Sequence, residues 1–251
     1  MMRLCVPIPC FFGREDFCDA LRKVQELGYS AAETYSYQNL DRKKVRKTCE
    51  ETGVKLVSMC TTNFELTRPE FRKDFLSGLA ESAKAAHEMN VGKLITQVGN
   101  DCGRDRRYQH ESIVEGLRGS IPILEQYGVT LMIEPLNTQV DHPGYYLSRS
   151  DEAFEIIREV HHPLVKVVFD IYHQQITEGN IIPNIERNIE HIAHFHCASN
   201  PGRHEFYRGE IDYHNVFSAI SHTGYDGYCG LEYTPTLPFE YSLRLARAFG
   251  I

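Results

Sequence analysis

The sequence predicts an α/β chain folded as a (β/α)8 TIM barrel, on three observations. Eight short apolar runs, near residues 4, 29, 54, 93, 129, 165, 192 and 228, are each followed by helical periodicity. The chain has 251 residues, about the length such a barrel needs. No long linker, tandem repeat or low-complexity segment interrupts the alternation, so residues 1–251 read as one domain. A doubly wound sheet would call for a glycine-rich phosphate turn after the first strand, and neither GxGxxG nor a Walker A pattern occurs.

The elements follow in order. Residues 4–8 form a short strand that Pro7, Pro9 and Gly13 end. A helix follows, with Phe17, Ala20, Leu21, Val24 and Leu27 at helical spacing and Gly28 placed as its C-cap. Residues 29–33 are a strand closing on Glu33, and the next helix, 40–52, carries Val45 and Cys49 on its apolar side and stops at Gly53. Residues 54–60 are strand, TTNFEL is its loop, 69–89 is helical and 92–98 is strand again. The pattern over 109–127 is helical, but Gly116, Gly119 and Pro122 predict weakening or a kink. From the strand at 129–133 onward, each unit reads strand, acidic or histidine ending, loop, helix.

Bulk properties narrow the function classes. Hydrophobic residues at 42% and charged residues at 24% are those of a folded enzyme rather than a disordered chain. A formal net charge of -7 argues against a nucleic-acid partner, because phosphate binding relies on clustered Lys and Arg. No stretch approaches the roughly 20 apolar residues of a membrane span. The opening MMRLCVPIPCFFG lacks a cleavage-site pattern and reads as the first strand. Eight cysteines without a C-x-x-C pair, several inside strands, suit a reduced, cytoplasmic protein.

The chemistry gathers in the second half. VTLMIEP ends at Glu134, VKVVFD at Asp170, HIAHFHC at His196 and GYCGLEY at Glu232, at the ends of strands five to eight. In a parallel barrel those ends share one rim, where active sites are built. A lone acid at a strand end is more often a helix cap or a surface ion pair. Four at consecutive strand ends suggest one cation, and Glu134 before Pro135 and Glu232 before Tyr233-Thr234-Pro235 lack an ordinary N-cap context. Three carboxylates and one imidazole suit a hard or borderline divalent ion such as Mn²⁺, Mg²⁺ or Co²⁺ better than structural zinc.

Other residues have weaker claims. His173, three residues past Asp170, is placed either to meet a substrate hydroxyl or a second metal, or to fix its loop. His194 alternates with His196, so both point to one side, and a satisfied buried histidine is its expected role. Glu33 is expected to be a salt-bridge partner on the rim, and His161 and His162 have no assigned role. In the loop NPGRHEFYRGEID, Arg203 is favoured as a functional cation beside the His196 strand, and Arg208 is left without a role.

The motifs IEPLN (133–137), PGYYL (143–147), FDIYHQQITEGN (169–180), PGRHE (201–205), GEIDY (209–213) and GYDGYCGLEY (224–233) resemble those of hydroxypyruvate isomerases. That family sits among the xylose-isomerase-like barrels, with sugar epimerases and type IV AP endonucleases. The resemblance is dense over roughly residues 128–234. It implies that Glu134 and Glu232 are both metal ligands and the acid/base pair, that Asp170 and the strand-seven residue His196 complete the site for one divalent ion, and that His173 and Arg203 face the substrate. It also implies a homo-oligomer. The chain departs in having His196 where hydroxypyruvate isomerases commonly carry Gln and ketose 3-epimerases His, and Phe206 where the pattern continues with Pro.

The expectation is therefore a metal-dependent isomerase acting on a small sugar or hydroxy-carbonyl acid through a cis-enediolate, with Arg203 and His173 holding the substrate. A ketose 3-epimerase using the same site is the nearest alternative. A three-metal nuclease would need further histidines at earlier strand ends, where the chain offers Asn63 and Gln97. A non-catalytic sugar-binding barrel is the last.

Overall fold

A computed structural model describes residues 2–13 and 15–249. The eight apolar runs close into one parallel barrel in chain order: β1 (Arg3–Pro7), β2 (Ala31–Thr34), β3 (Lys55–Cys60), β4 (Lys93–Thr96), β5 (Thr130–Ile133), β6 (Val165–Asp170), β7 (Ile192–His196) and β8 (Tyr228–Gly230). Closure comes from β1 against β8, where Arg3 pairs with Tyr228, Leu4 with Cys229 and Cys5 with Gly230. The sheet thus has no open edge.

The helices lie outside: α1 (Ile8–Phe11), α2 (Phe17–Glu26), α3 (Arg42–Thr52), α4 (Arg72–Met89), α5 (Arg106–Tyr127), α6 (Ser150–Val160), α7 (Ile171–Thr177), α8 (Ile181–Asn188), α9 (Tyr213–His222) and α10 (Phe239–Ala248). Several starts are written in the sequence as aspartates. Asp16 accepts from the Cys18 and Asp19 amides, Asp41 from Lys44, Asp105 from Arg107 and Tyr108, and Asp212 from His214 and Asn215. Gly53 and Gly128 end α3 and α5 in the left-handed conformation.

The weakness expected in 109–127 does not break the helix; α5 runs as one element of 22 residues with Pro122 inside it. One of its glycines is consumed in packing. A Cβ on Gly116 would overlap the Leu66 side chain, and one on Gly119 would sit 3.4 Å from Leu76 Cδ1. At Gly116 the close approach of Leu66 offsets a propensity cost of about 1 kcal/mol, whereas Gly119 makes only ordinary contact.

Strand residues alternate between two environments. Val6, Leu56, Leu94, Leu131, Val167 and Phe195 join the large core between barrel and helices. Two small clusters, Cys5 with Ala31, Val57 and Tyr228, and Ile95 with Met132 and Val168, stand apart from it and fill the barrel's interior. Buried polar residues share that interior: Glu33, Ser58 and His194. Above them the strands of the second half end in the acids and histidines of the site. No helix among the described residues is long and apolar enough to cross a membrane.

Candidate active site

β5, β6, β7 and β8 each deliver one group at the C-terminal rim. One ligand atom from each of Glu134, Asp170, His196 and Glu232 lies within 4.8 Å of the others. His196 Nδ1 is 3.2 Å from Glu134 Oε1 and 3.1 Å from Glu232 Oε2. Glu134, Asp170 and His196 are buried and Glu232 is partly exposed. Buried carboxylates this close repel one another unless cations intervene. Three carboxylate oxygens and an imidazole nitrogen, converging inside a dry barrel mouth, are a donor set for one hard or borderline divalent ion.

Asp170 has two roles. Its Oδ1 accepts from the Tyr172 amide at 2.8 Å and the His173 amide at 3.3 Å, capping α7, so the helix-cap alternative for an acid at a strand end holds here as well. Its Oδ2 remains for the cluster, 3.7 Å from Arg203 Nη2 and 3.5 Å from His173 Nε2.

Arg203 reaches the site from the loop after β7. Its φ of 55° places it in the left-handed region, and backbone bonds from its amide to Ser199 O (3.0 Å) and from Thr234 N to its carbonyl (2.9 Å) tie that turn to the loop after β8. Buried Glu205 pins the same two loops, accepting from the Thr236 amide at 2.9 Å and its hydroxyl at 2.8 Å. The guanidinium lies 2.9 Å from Glu232 Oε2 and 5.2 Å over the Tyr172 ring.

Burial and charge set the protonation of the cluster. Burial pushes the Asp170 carboxyl up to about 7 against the pull of Arg203, and the charges of Glu232 and Glu134 act in the same upward direction. Burial also opposes ionisation of Glu232, but His196 and Arg203 outweigh it and hold that carboxyl well below its ordinary range. Burial disfavours the His196 imidazolium, yet Glu232 and Glu33 keep it protonated well above the usual histidine range. His173 goes the other way: burial, reinforced by the Arg203 charge, holds it well below.

Three features escaped sequence reading. Glu33 is not a rim salt-bridge partner. It is buried inside the barrel, where Oε2 accepts from Ser58 Oγ at 2.6 Å and lies 2.9 Å from His194 Nε2 and 3.5 Å from His196 Nε2. The side-chain alternation of β2 carried the inward direction, but its barrel-crossing partners on β7 are 161 and 163 residues away. His194 is buried as expected, with one nitrogen on Glu33 and Nδ1 without a partner among the described residues. Asn137, the last residue of IEPLN, is the second: it is fully buried and in contact with His173. Tyr35, just past β2, is the third: its hydroxyl interacts with Glu232 and lies 3.0 Å from Cys10 Sγ. Of the weaker candidates, His161 and His162 lie in the turn between α6 and β6, at the opposite end of the strands.

Comparison with known proteins agrees with this architecture. Residues 21–249 match the xylose isomerase-like TIM barrel family. The hydroxypyruvate isomerase of Escherichia coli K12 is 28% identical over 253 residues, covering 97% of this chain and 98% of that protein. The 2-oxo-tetronate isomerase of Cupriavidus necator is 40% identical over 131 residues, covering 52% of this chain and 50% of that one. A crystal structure described as an AP endonuclease, family 2, from Brucella melitensis superposes with a TM-score of 0.93 at 25% identity, covering 100% of both chains.

Proposed function

This chain belongs to the xylose isomerase-like TIM barrel family, and from that premise we propose that it is a metal-dependent isomerase. Its substrates would be a small hydroxy-aldehyde and hydroxy-ketone pair of the hydroxypyruvate or 2-oxo-tetronate type. The observation that carries this reading is the meeting of Glu134 and Glu232, from β5 and the end of β8, on one imidazole nitrogen, with Arg203 2.9 Å from Glu232.

An aldose–ketose interconversion takes a proton from one carbon and returns one to its neighbour, while negative charge builds on the adjoining oxygens. It therefore needs a carboxylate base and fixed positive charge in a water-poor site. Glu134, Asp170, His196 and Glu232 would hold a divalent ion, Mn²⁺, Mg²⁺ or Co²⁺, which when bound supplies Lewis-acid polarisation of the carbonyl. One glutamate removes the proton from the carbon bearing the hydroxyl. The same or the other glutamate delivers a proton to the adjacent carbon of the cis-enediolate, while the hydroxyl proton passes from its oxygen to the neighbouring former carbonyl oxygen. Arg203 binds substrate oxygen with a planar pair of N–H donors, and its charge keeps Glu232 ionised and ready as a base. His173 lies beside Asp170, with Nε2 buried and without a hydrogen-bond partner among the described residues. All eight cysteines are free thiols, which supports a reducing compartment.

A second reading draws on the delivery of the two glutamates from different strands, Glu134 just past β5 and Glu232 just past β8. Two bases reaching a carbon from different sides can remove a proton from one face and return it to the other, which is epimerisation of a ketose at C3. The test is NMR of hydroxypyruvate, tartronate semialdehyde, 2-oxo-tetronate and a panel of ketoses in D₂O with Mg²⁺ present. Metal-dependent interconversion of a three- or four-carbon pair supports the isomerase. Deuterium entering only C3 of a ketose, with inversion, selects the epimerase. Absence of exchange with every compound overturns both.

A further inference from the structure

The hydrogen bonds around Asn137 decide what His173 can do. The Asn137 amide has one orientation that fits. Its Oδ1 accepts from the Val140 amide at 3.0 Å and the Asp141 amide at 3.1 Å, two backbone donors that only an oxygen can satisfy. The nitrogen Nδ2 is therefore the atom on the other side. There it donates to Asp141 Oδ2 at 2.7 Å and meets His173 Nδ1 at 2.7 Å. The backbone amide of Asn137 also points at His173 Nδ1, at 3.3 Å.

Two N–H donors thus converge on one ring nitrogen. A nitrogen facing donors must offer a lone pair, so Nδ1 carries no proton and the proton of the neutral ring sits on Nε2. An imidazolium would place an N–H against two N–H groups in a fully buried site. Nε2 is the buried end that has no hydrogen-bond partner among the described residues, and it lies 3.5 Å from Asp170 Oδ2, within the catalytic cluster.

We infer that Asn137 is a positioning residue that locks His173 in its neutral Nε2–H tautomer, so that His173 serves the reaction as a hydrogen-bond donor to a substrate oxygen and never as a base. This divides the work in the site. Proton removal from carbon falls to the glutamates, and the imidazole gives its N–H to an oxygen that gains negative charge, where a preorganised donor lowers the barrier. Asp141 holds the lock in place, because its Oδ2 also accepts from Tyr172 Oη at 2.8 Å. The tautomer follows from the hydrogen bonds alone; the donor's role toward substrate rests on the isomerase reading.

Long-range ¹H–¹⁵N correlation spectra of the full chain, recorded with Mg²⁺ and again with EDTA, report which His173 nitrogen is protonated. Comparison with His173→Gln makes the assignment. The expected result is one neutral Nε2–H ring at pH 7 in the wild type. Asn137→Ala removes the shorter donor and leaves only the backbone N–H at 3.3 Å, so a fraction of the Nδ1–H tautomer should appear, and kcat should fall at least tenfold with a smaller change in KM. His173→Gln, which can still present an amide N–H, should retain more activity than His173→Ala. Adding Asn137→Ala to His173→Gln should cost much less than it does alone, since both changes break one device. A wild-type ring protonated on Nδ1, or on both nitrogens, overturns the lock whatever the activity. A confirmed tautomer in a protein that turns over none of the tested compounds would leave the lock standing and overturn the isomerase reading. Equal activity of the Gln and Ala variants at His173, with the tautomer confirmed, would overturn the donor role.

Discussion

His196 is held from both ends: its Nδ1 faces Glu134 and Glu232, and its Nε2 faces Glu33, 3.5 Å away inside the barrel. A carboxylate behind a metal-facing imidazole fixes ring orientation and raises its basicity, and such partners are typically worth about 10- to 100-fold in metal affinity. Glu33→Gln should therefore weaken Mn²⁺ binding, read by electron paramagnetic resonance of free Mn²⁺, by about that factor. Unchanged affinity would show that Glu33 only fills the barrel.

Removing either base should stop the reaction without unfolding the protein. Glu134→Gln and Glu232→Gln should each lower proton exchange into substrate by about 10²- to 10⁴-fold, the usual worth of a positioned acid or base. Circular dichroism should stay native. Near-normal exchange in both variants would sink their assignment.

Metal binding should be visible in stability and in pH. At a free ion concentration 100 times Kd the fold gains about 2.7 kcal/mol, and Tm rises by about 2–4 °C for each kcal/mol in a chain of this size. Asp170→Asn should abolish that rise. Asp170, pushed up to about 7 by burial, and His196, held protonated above its ordinary range by Glu232 and Glu33, must both lose protons to act as donors to an ion. Uptake of the ion thus releases protons, and affinity climbs from pH 6 to pH 8. Both groups titrate in the folded protein above their unfolded values of 3.8 and 6.5. Their stabilisation is full below those values and disappears as pH rises through the folded ones. The metal-free protein should accordingly lose Tm from pH 7 to 8.5, and the loaded protein should not. Calorimetry in two buffers of different ionisation heat counts the protons, and tighter binding at pH 6 than at pH 8 contradicts the scheme.

Arg203→Lys keeps a positive charge but loses the planar fork that meets Glu232 and lies over Tyr172. Steady-state kinetics should show KM rising about tenfold, a loss of about 1.4 kcal/mol, with a smaller effect on kcat. A lowered kcat at constant KM would instead place Arg203 at the reacting carbon's oxygen in the transition state alone.

Gly230 is the floor of the site. A Cβ there would collide with Glu33 Oε1 and come within 2.7 Å of His196 Cδ2. Both neighbours are buried and hydrogen-bonded, so neither can retreat freely. Gly230→Ala should cost about 1–3 kcal/mol, as overpacking does, and should also weaken Mn²⁺ binding. Thermal melts and metal titration of the same sample check both.

Much of the barrel was legible because its signals are local. Strand runs, helical periodicity and terminal glycines each act within a few residues, so eight strands could be placed from period and punctuation alone. The rim cluster was legible for a related reason: in a closed parallel sheet, side chains at successive strand ends must be neighbours. The interior was not. Glu33 meets β7 across the barrel, a contact that no spacing in the sequence encodes, and the same acid looks like a surface residue when only its own strand is read. Gly116 misled in the opposite sense, since propensity sees a weak helix while Leu66 requires the room. Asn137 could have been noticed only as a buried amide beside a histidine, and burial is a property of the folded chain.

The two oxygens of Asp170 serve different masters, one starting α7 and the other facing the metal cluster. An ion held by Oδ2 would therefore brace the carboxylate that starts the helix carrying His173. Under the metal-dependent reading, amide exchange at Tyr172 and His173 should be slower with Mg²⁺ than with EDTA, and equal exchange in the two would separate the cap from the cluster.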